Sequence, residues 1–336
     1  FMFHTVIIDG KTPSDMLQTI TRSKYPAVTE EEERISLPLQ TVSGAIFDAI
    51  LVHMMMTIEP NSWQQLRTEM CNSLNLKKND RTLAILETTY VDMDIIFLQE
   101  VAASFVEAAR NSQILSSQYY IIPAPKESRS NQNSVILLKK QGFDLGEMND
   151  VTNELVFDNP EMVAEGDIVA ITTNDFLLAS FHGDTNGMAT IPVVTAVKRL
   201  LDNKYPDKKL LFGLDANTYE HAKPGKTQDV LEFAKVYVKL GLTSCWGDTP
   251  NPTNHTTYNA RTFLQPQLNK ASKRSEILKK GDVNPKDFIL FNKGVYKLVR
   301  TTKDNTGKKR FIENWVFPTL DFPSDHGILS TQIVKI

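Results

Sequence analysis

The chain has 336 residues, of which 41% are hydrophobic and 23% are charged, a balance typical of a soluble globular protein. This length allows one large α/β domain or two smaller ones. The formal net charge of −3 argues against a protein whose affinity rests on coating long duplex DNA with Lys and Arg, although a local basic groove would still serve a nucleic-acid enzyme.

Two cysteines, Cys71 and Cys245, are too few for a disulfide framework or a CxxC metal clip, and we expect both to be small core or half-buried residues. No apolar run in the sequence approaches the length of a bilayer span, and the longest, at 49–57, is predicted to be a core segment. With no recognisable signal peptide, an intracellular soluble protein is favoured. The start at Phe1 rather than Met is also typical of a fragment or processed product that has lost a leader.

In chain order, the first predicted elements are a strand at 3–8, a solvated loop or helix start at 30–33, and a helix at 62–76. A buried strand at 94–101 and a helix at 102–109 follow. Further strands are predicted at 118–123, 134–139, 167–171, 176–181, 288–291, 295–299 and 328–334, helices at 192–201 and 227–240, and a polar surface loop at 251–280. Strands alternate with helices and no Pro/Gly/Ser linker interrupts them, so one α/β domain fits better than two.

The segment at 210–217 presents polar side chains directly after an apolar strand. Its apolar residues run to Gly213, and Asp215 and Asn217 follow two positions apart. If the strand period continues, both side chains point to the same face. Two interpretations are equally supported by this segment alone: a site that grips a metal-bound water and a phosphoryl oxygen, or a strand exit where Asp and Asn bond their own backbone.

Four further segments place a polar or charged residue at the end of a predicted strand. They are Gln99-Glu100, Ser180-Phe181-His182-Gly183, Lys286-Asp287 and Ser324-Asp325-His326. Taken singly, each has an ordinary explanation: Glu100 suits the first turn of a helix, His182 a turn, Asp287 a strand edge, and Asp325-His326 a solvent-facing loop.

Taken in order, these segments resemble the motifs of the endonuclease/exonuclease/phosphatase superfamily, over about 94–329. The resemblance implies an α/β fold in the form of a four-layer sandwich, with two mixed β-sheets packed face to face and flanked by helices. It also implies that 1–336 form a single domain of this type, with residues about 10–60 as a family-specific N-terminal insertion. The implied activity is that of a metal-dependent phosphodiesterase or phosphatase, in which an activated water attacks the phosphorus in line.

The resemblance also assigns roles to individual residues. Divalent cations neutralise phosphoester oxygens, and Mg²⁺ prefers one or two carboxylates with waters and phosphate, so Mg²⁺, or Mn²⁺ in its place, is the implied cofactor. The roles are Glu100 and Asp325 for the metal, Asp215 for water activation, Asn217 and His182 for phosphate contact, His326 for proton transfer or hydrogen bonding to the phosphoryl oxygen, and Asp287 to orient His326.

Two departures from the family pattern keep an alternative open. The family begins with a strand that carries an Asn, and no match is found: Asn61 is interpreted as a helix cap, and the strand itself is expected before Phe1. Gly183-Asp184 follows His182 where an apolar residue is usual. A catalytically inactive member that acts as a binding or structural module is therefore the alternative, and a different metal with other hydrolytic chemistry also fits the ligand types.

The substrate class is left open between nucleic acid, a phospholipid head group and a nucleotide, and the sequence gives no indication of the oligomeric state. Basic residues in the 251–280 loop would suit the rim of a polyanion site, although a solvated loop is the more ordinary explanation. These residues are Arg261, Lys270, Lys273 and Arg274.

Overall fold

A computed structural model of the chain describes residues 17–126, 132–258 and 282–336. The chain divides into two compact units, Phe1–Glu69 and Met70–Ile336. The predicted strand at 3–8 and the basic residues of the 251–280 loop lie outside the described residues. Whether residues about 10–60 are an insertion in a single domain stays a prediction.

The first unit contains one long helix, α1 (Glu30–Ile58), which begins with a capping box. The Thr29 side chain accepts from the Glu32 backbone and the Glu32 carboxylate accepts from the Thr29 backbone, which satisfies two groups at the helix start. Ser36 is the only residue that the helix buries. The prediction of a core segment at 49–57 is therefore wrong, because that stretch is largely exposed.

By length and composition alone, α1 is also long and apolar enough to cross a membrane. The apolar stretch of this helix is longer than the run at 49–57 because apolar residues before position 49 belong to the same helix. The next helix, α2 (Trp63–Cys71), continues into a π-helical turn at Asn72–Leu76. Cys71 is exposed and not half-buried as expected, whereas Cys245 is buried.

In the second unit, a three-stranded antiparallel sheet has helices on its outer face. Its strands are β1 (Ile95–Val101), β2 (Tyr119–Pro123) and β3 (Asn133–Lys139), in the order β1-β3-β2. The helices are α3 (Lys78–Thr88), α4 (Ala103–Asn111) and α5 (Gln113–Gln118). Leu86, Phe105 and Leu115 from these helices form a buried cluster with Val135 and Leu137 of β3.

A six-stranded sheet, in the order β4-β5-β6-β7-β9-β8, carries two helices on its own outer face. Its strands are β4 (Asn149–Asp150), β5 (Ile168–Thr172), β6 (Phe176–His182), β7 (Lys209–Asp215), β8 (Leu242–Ser244) and β9 (Asp287–Asn292). The helices are α6 (Thr190–Lys204) and α7 (Val230–Lys239). Strands β6 and β7 are parallel and the other pairs are antiparallel, so the sheet is mixed as expected.

The two sheets pack face to face through another apolar cluster, which includes Ile136, Val169 and Leu211. Gly213 of β7 lies against the ring of Phe97 in β1 so closely that a Cβ atom would overlap the ring. The four layers are therefore helix, sheet, sheet, helix, and the predicted α/β sandwich is confirmed. One difference is that β10 (Tyr296–Asp304) and β11 (Ile328–Lys335) form a separate two-stranded sheet within the part of the chain that the structure describes.

A cavity of about 290 Å³ separates β1 from β11. Its lining includes residues 95–102 and 327–331, so it is bordered by the start of β11 and by the edge of β1 that has no strand partner among the described residues. Glu100, Asp215, Asp287 and His326 also line this cavity. The gap between the two smaller sheets thus leads directly to the polar residues that the sequence singled out.

Candidate active site

Three of the predicted residues are aligned by the register of the six-stranded sheet. His182 at the end of β6 is paired with Asp215 at the end of β7, and Asp215 is paired with Asp287 at the start of β9. Residues opposite one another on adjacent strands project from the same face. The sheet therefore brings a histidine and two carboxylates from distant parts of the sequence into one row.

Asp215 is the buried centre of this row, with its side chain only 5% exposed. Its Oδ1 atom accepts from the backbone N–H of Asn217 at 2.9 Å. Its Oδ2 atom lies 3.7 Å from Nε2 of His182 and 3.7 Å from Nε2 of His326. One carboxylate oxygen thus holds the local turn while the other faces two imidazole rings.

His326 is held by Asp287. The Nδ1 atom lies 3.0 Å from each oxygen of the Asp287 carboxylate, while Nε2 faces Asp215. Asp287 is itself fixed at its backbone, because its N–H donates to Oγ1 of Thr256 and its carbonyl accepts from the Trp246 indole. A carboxylate on Nδ1 fixes the ring orientation and leaves Nε2 to interact with a reacting group.

Glu100 reaches the row from the other sheet. The pairing of β1 with β3 is irregular between Leu98 and Val101, and Glu100 has a left-handed φ of 55° within that bulge. Bulges re-aim side chains next to active sites, and here the Glu100 carboxylate lies 3.2 Å from Nε2 of His182. The preceding Gln99 donates to Oγ of Ser180 in β6 at 2.9 Å, which fastens the two sheets beside the site.

Asn217 also has a left-handed φ, of 46°, and is 4% exposed. Its Nδ2 lies 3.3 Å from Oδ2 of Asp215, and its Oδ1 accepts from the ammonium of Lys286 at 2.9 Å. Sequence reasoning missed Lys286, which is 4% exposed and also pairs with Asp282 at 2.7 Å. The sequence does contain a signal for it, because Lys286 stands between Pro285 and an apolar strand. A lysine that is buried at such a position needs charged or polar partners.

The electrostatics of the row follow from burial and close charges. Burial raises the pKa of Asp215, and the Asp287 carboxylate adds to that rise although the nearby cationic groups oppose it. Burial disfavours the charged form of His326, but the Asp287 and Asp215 carboxylates outweigh it and hold the pKa of His326 well above its usual value.

The pair at the rim behaves as an ion pair. Burial opposes charging of His182, but its hydrogen bond with Glu100 and the Asp215 charge raise the pKa of the imidazole. The same hydrogen bond lowers the pKa of Glu100. Each group therefore favours the charged form of the other, as in an ion pair.

Two sets of residues have the chemistry to hold a cation. Asp215, Asp287 and His326 offer ligand atoms that all lie within 4.8 Å of one another. Glu100 and Asp325, the pair implied by the family resemblance, are not part of that group, but both line the same cavity. The carboxylate oxygens of either set suit a hard divalent cation.

The residues that depart from the family pattern have local roles. Oδ1 of Asp184 accepts from the backbone of Ala189 at 2.8 Å, and its carbonyl accepts from Gly187, so this segment forms the turn that begins α6. Asn61 is exposed in the turn before α2.

Residues 1–68 match the family described as Domain of unknown function (DUF8234). No curated protein matches the chain. Among solved structures, the chain is similar to an endonuclease/exonuclease/phosphatase from Bacteroides vulgatus at 13% identity and a TM-score of 0.49, covering 80% of this chain and 94% of that one.

The chain is also similar to two TDP2 structures. Truncated Caenorhabditis elegans TDP2 has 17% identity and a TM-score of 0.43 over 77% of this chain and 91% of that one. D. rerio TDP2, complexed with a single-strand DNA product, has 14% identity and a TM-score of 0.45 over 77% and 93%.

Proposed function

We propose that the chain is a metal-dependent phosphoester hydrolase that uses in-line attack of an activated water. The observation that supports it best is the row formed by His182, Asp215 and Asp287, with His326 held by Asp287. Asp215, Asp287 and His326 line the cavity between β1 and β11. A carboxylate that orients a histidine, beside a second buried carboxylate, is the arrangement needed to move a proton at a reacting oxygen.

In this proposal Asp215 accepts the proton of the attacking water. Its buried position raises its pKa toward the working pH, which is the property that a general base needs. His326, held by Asp287 in a state that favours the charged ring, donates a hydrogen bond from Nε2 to the phosphoryl oxygen. Negative charge builds up on that oxygen as water attacks, so a fixed cationic donor stabilises the transition state more than the ground state.

Asn217 and His182 contact the other phosphoryl oxygens in this scheme. The Asn217 amide is oriented by Lys286, so its Nδ2 group faces the Asp215 side of the site. His182 lies at the end of β6 between Glu100 and Asp215. Both groups are therefore held before substrate arrives, which reduces the entropy lost on binding.

For the metal we assign Glu100 and Asp325. Glu100 has a lowered pKa and a side chain that is 43% exposed, so a charged oxygen is accessible to an ion at the rim. Asp325 is next to His326 on the same cavity wall. When bound there, Mg²⁺ or Mn²⁺ supplies neutralisation of the phosphoester charge.

The activity is tested with Asp215→Asn and His326→Gln in a hydrolysis screen with Mg²⁺ or Mn²⁺. Substrates are single-stranded RNA, duplex DNA with an abasic site, phosphoinositides and sphingomyelin. We expect each variant to lose about 100-fold to 10,000-fold of the wild-type rate, because each removes a proton-transferring or hydrogen-bonding group. The exposed Asp202→Asn and His221→Gln are the matched controls. Full activity in either site variant, with an unchanged unfolding temperature, rules the proposal out.

The metal assignment is tested by calorimetric titration of Mg²⁺ and Mn²⁺ into the wild type, Glu100→Gln and Asp325→Asn. Removing one carboxylate should weaken binding about tenfold or more. Unchanged affinity in both variants, together with loss in Asp287→Asn, would move the ion to the Asp215, Asp287 and His326 set. No detectable binding by the wild type would favour the inactive binding module instead.

A further inference from the structure

The helix α1 turns few residues away from solvent, and polar residues are among them. Ser36, Gln40, Gly44 and Asp48 recur every four residues and are buried or half-buried. Residues spaced this way share a face of the helix. Phe47 and Leu51 are half-buried on the same side, so this face is mixed, whereas a surface helix of a soluble protein normally turns an apolar stripe inward and its polar face to water.

Hydrogen bonds show what the polar face contacts. The Ser36 hydroxyl accepts from the backbone of Ile20 at 3.1 Å and donates to the carbonyl of Glu33 at 2.9 Å. The Gln40 amide donates to the carbonyl of Gln18 at 2.9 Å. The Ser36 and Gln40 side chains are thus hydrogen-bonded within the first unit, and Asp48, which is half-buried, lies on the same side.

The outward side is apolar and exposed. Leu39, Val42, Ile46 and Ile50 form the stripe opposite the polar face and are 54%, 55%, 57% and 52% exposed. In the last two turns exposed apolar residues surround the whole helix. These are Val52, Met54, Met55, Met56 and Ile58. A second helix packed against α1 would cover only one stripe of its surface. Because this part of α1 is apolar on nearly all sides, lipid hydrocarbon matches it better than a helical partner does.

Length and charge placement also suit a bilayer. At 1.5 Å per residue α1 is about 43 Å long, against about 30 Å for a hydrocarbon core. Asp48 is the only Asp, Glu, Lys or Arg at 35–58, while Glu30–Glu33 and Arg34 precede that stretch and Glu59 follows it. The absence of Lys and Arg from this stretch argues against a helix that lies flat in the head-group region, which needs a basic face.

We propose that α1 inserts into a lipid bilayer and anchors the chain to a membrane, with Ser36, Gln40 and Asp48 turned toward the first unit and Leu39, Val42, Ile46 and Ile50 toward lipid. The proposal is independent of the hydrolase function, because it rests on the first unit alone.

The test is co-flotation of the full chain with phosphatidylcholine vesicles, followed by alkaline carbonate extraction. We expect the chain to float with vesicles and to resist extraction. Ile46→Lys with Ile50→Lys places two charges on the lipid-facing stripe and should lower the partition coefficient about a hundredfold or more. Leu231→Lys with Val299→Lys, at exposed apolar positions of the second unit, is the control and should float like the wild type.

Three results would overturn the proposal. The first is a wild-type chain that stays in the vesicle-free fraction as a monomer. The second is a discrete oligomer in sedimentation that does not float, which would make a second copy the occupant of the apolar face. The third is release by carbonate, which marks a peripheral protein. Because none of these measurements uses hydrolysis, failure here is distinct from failure of the proposed activity.

Discussion

Lys286 shows how a residue outside the predicted set controls one inside it. Asn217 has a carboxamide whose two ends are chemically different, and the site needs its donor end near Asp215. The ammonium of Lys286 accepts no hydrogen bond, so its contact with Oδ1 fixes that end of the amide and leaves Nδ2 facing Asp215. Lys286 is thus a positioning residue for the proposed phosphate contact.

We predict that Lys286→Met lowers kcat about 10-fold to 100-fold, because a methionine has similar length but no donor to orient the amide. Lys286→Arg, which keeps a cationic donor, should recover part of the loss. Lys303→Met is the control, since Lys303 is half-buried but contacts the His255 carbonyl instead. Steady-state kinetics measure the effect, and an equal loss of kcat in the control would mean that only general stability had changed.

The Asp287–His326 contact predicts a pH dependence of stability. The pKa of folded His326 is raised above the unfolded value of 6.5. Protonation therefore stabilises the fold fully below about pH 6.5, and this contribution is lost as the pH rises through the folded pKa. In Asp287→Asn that pKa falls, so we expect a loss of about 1–3 kcal/mol at pH 6 and a weaker pH dependence above it.

Urea unfolding of the wild type, Asp287→Asn and the exposed control Asp202→Asn over pH 5.5–9 measures this effect. If the free energy of unfolding depends on pH in the same way in the wild type and in Asp287→Asn, then Asp287 does not set the protonation of His326.

Helices and strands could be predicted where their apolar residues have a regular spacing and where residues at their ends mark the boundaries. The strand at 94–101 and the helix at 227–240 agree with β1 and α7 to within a few residues, and Asp229 caps α7 through its side chain. The core segment predicted at 49–57 is wrong because apolar composition alone does not say whether a stretch is covered, and these residues of α1 are largely exposed. Propensity and period also carry no information about which edges of two sheets meet.

The close approach of β1 and β7 gives an element-scale prediction. Gly213→Ala places a methyl group inside the ring of Phe97, so the sheets must separate or the ring must move. We expect a loss of about 1–3 kcal/mol in the free energy of unfolding. Gly142→Ala, where the added methyl meets nothing within 4 Å, should be nearly neutral. A double variant with Phe97→Leu should lose less than the sum of the two single variants, because the two positions are in contact.

At the scale of the whole molecule, the candidate site lies where the three-stranded and six-stranded sheets contact each other. The resemblance of the ordered motifs to the superfamily singled out His182, Asp215 and Asp287, and the sheet register makes them neighbours. The contact between the two sheets could not be predicted from the sequence, because Gln99 and Ser180 come together only when the sheets pack against each other. The metal and substrate roles assigned to these residues stay predictions.

Within the part of the chain that the structure describes, β1 pairs only with β3, and this has a consequence for its backbone. Lys139 donates to the carbonyl of Asp94, so alternation along the antiparallel ladder leaves the N–H and C=O groups of Ile95 and Phe97 facing away from β3, toward the cavity. We expect their amides to exchange with D₂O at least tenfold faster than those of Ile96 and Leu98, as measured by NMR. Equal protection would mean that another extended segment already pairs with this edge.

An edge of this kind works as a template. Any extended segment that fitted between β1 and β11 would join the three-stranded and two-stranded sheets into one continuous sheet and would also close the apolar end of the site cavity. The gap between the two small sheets therefore controls how much solvent reaches the candidate site. It also determines whether these two sheets behave as one continuous layer.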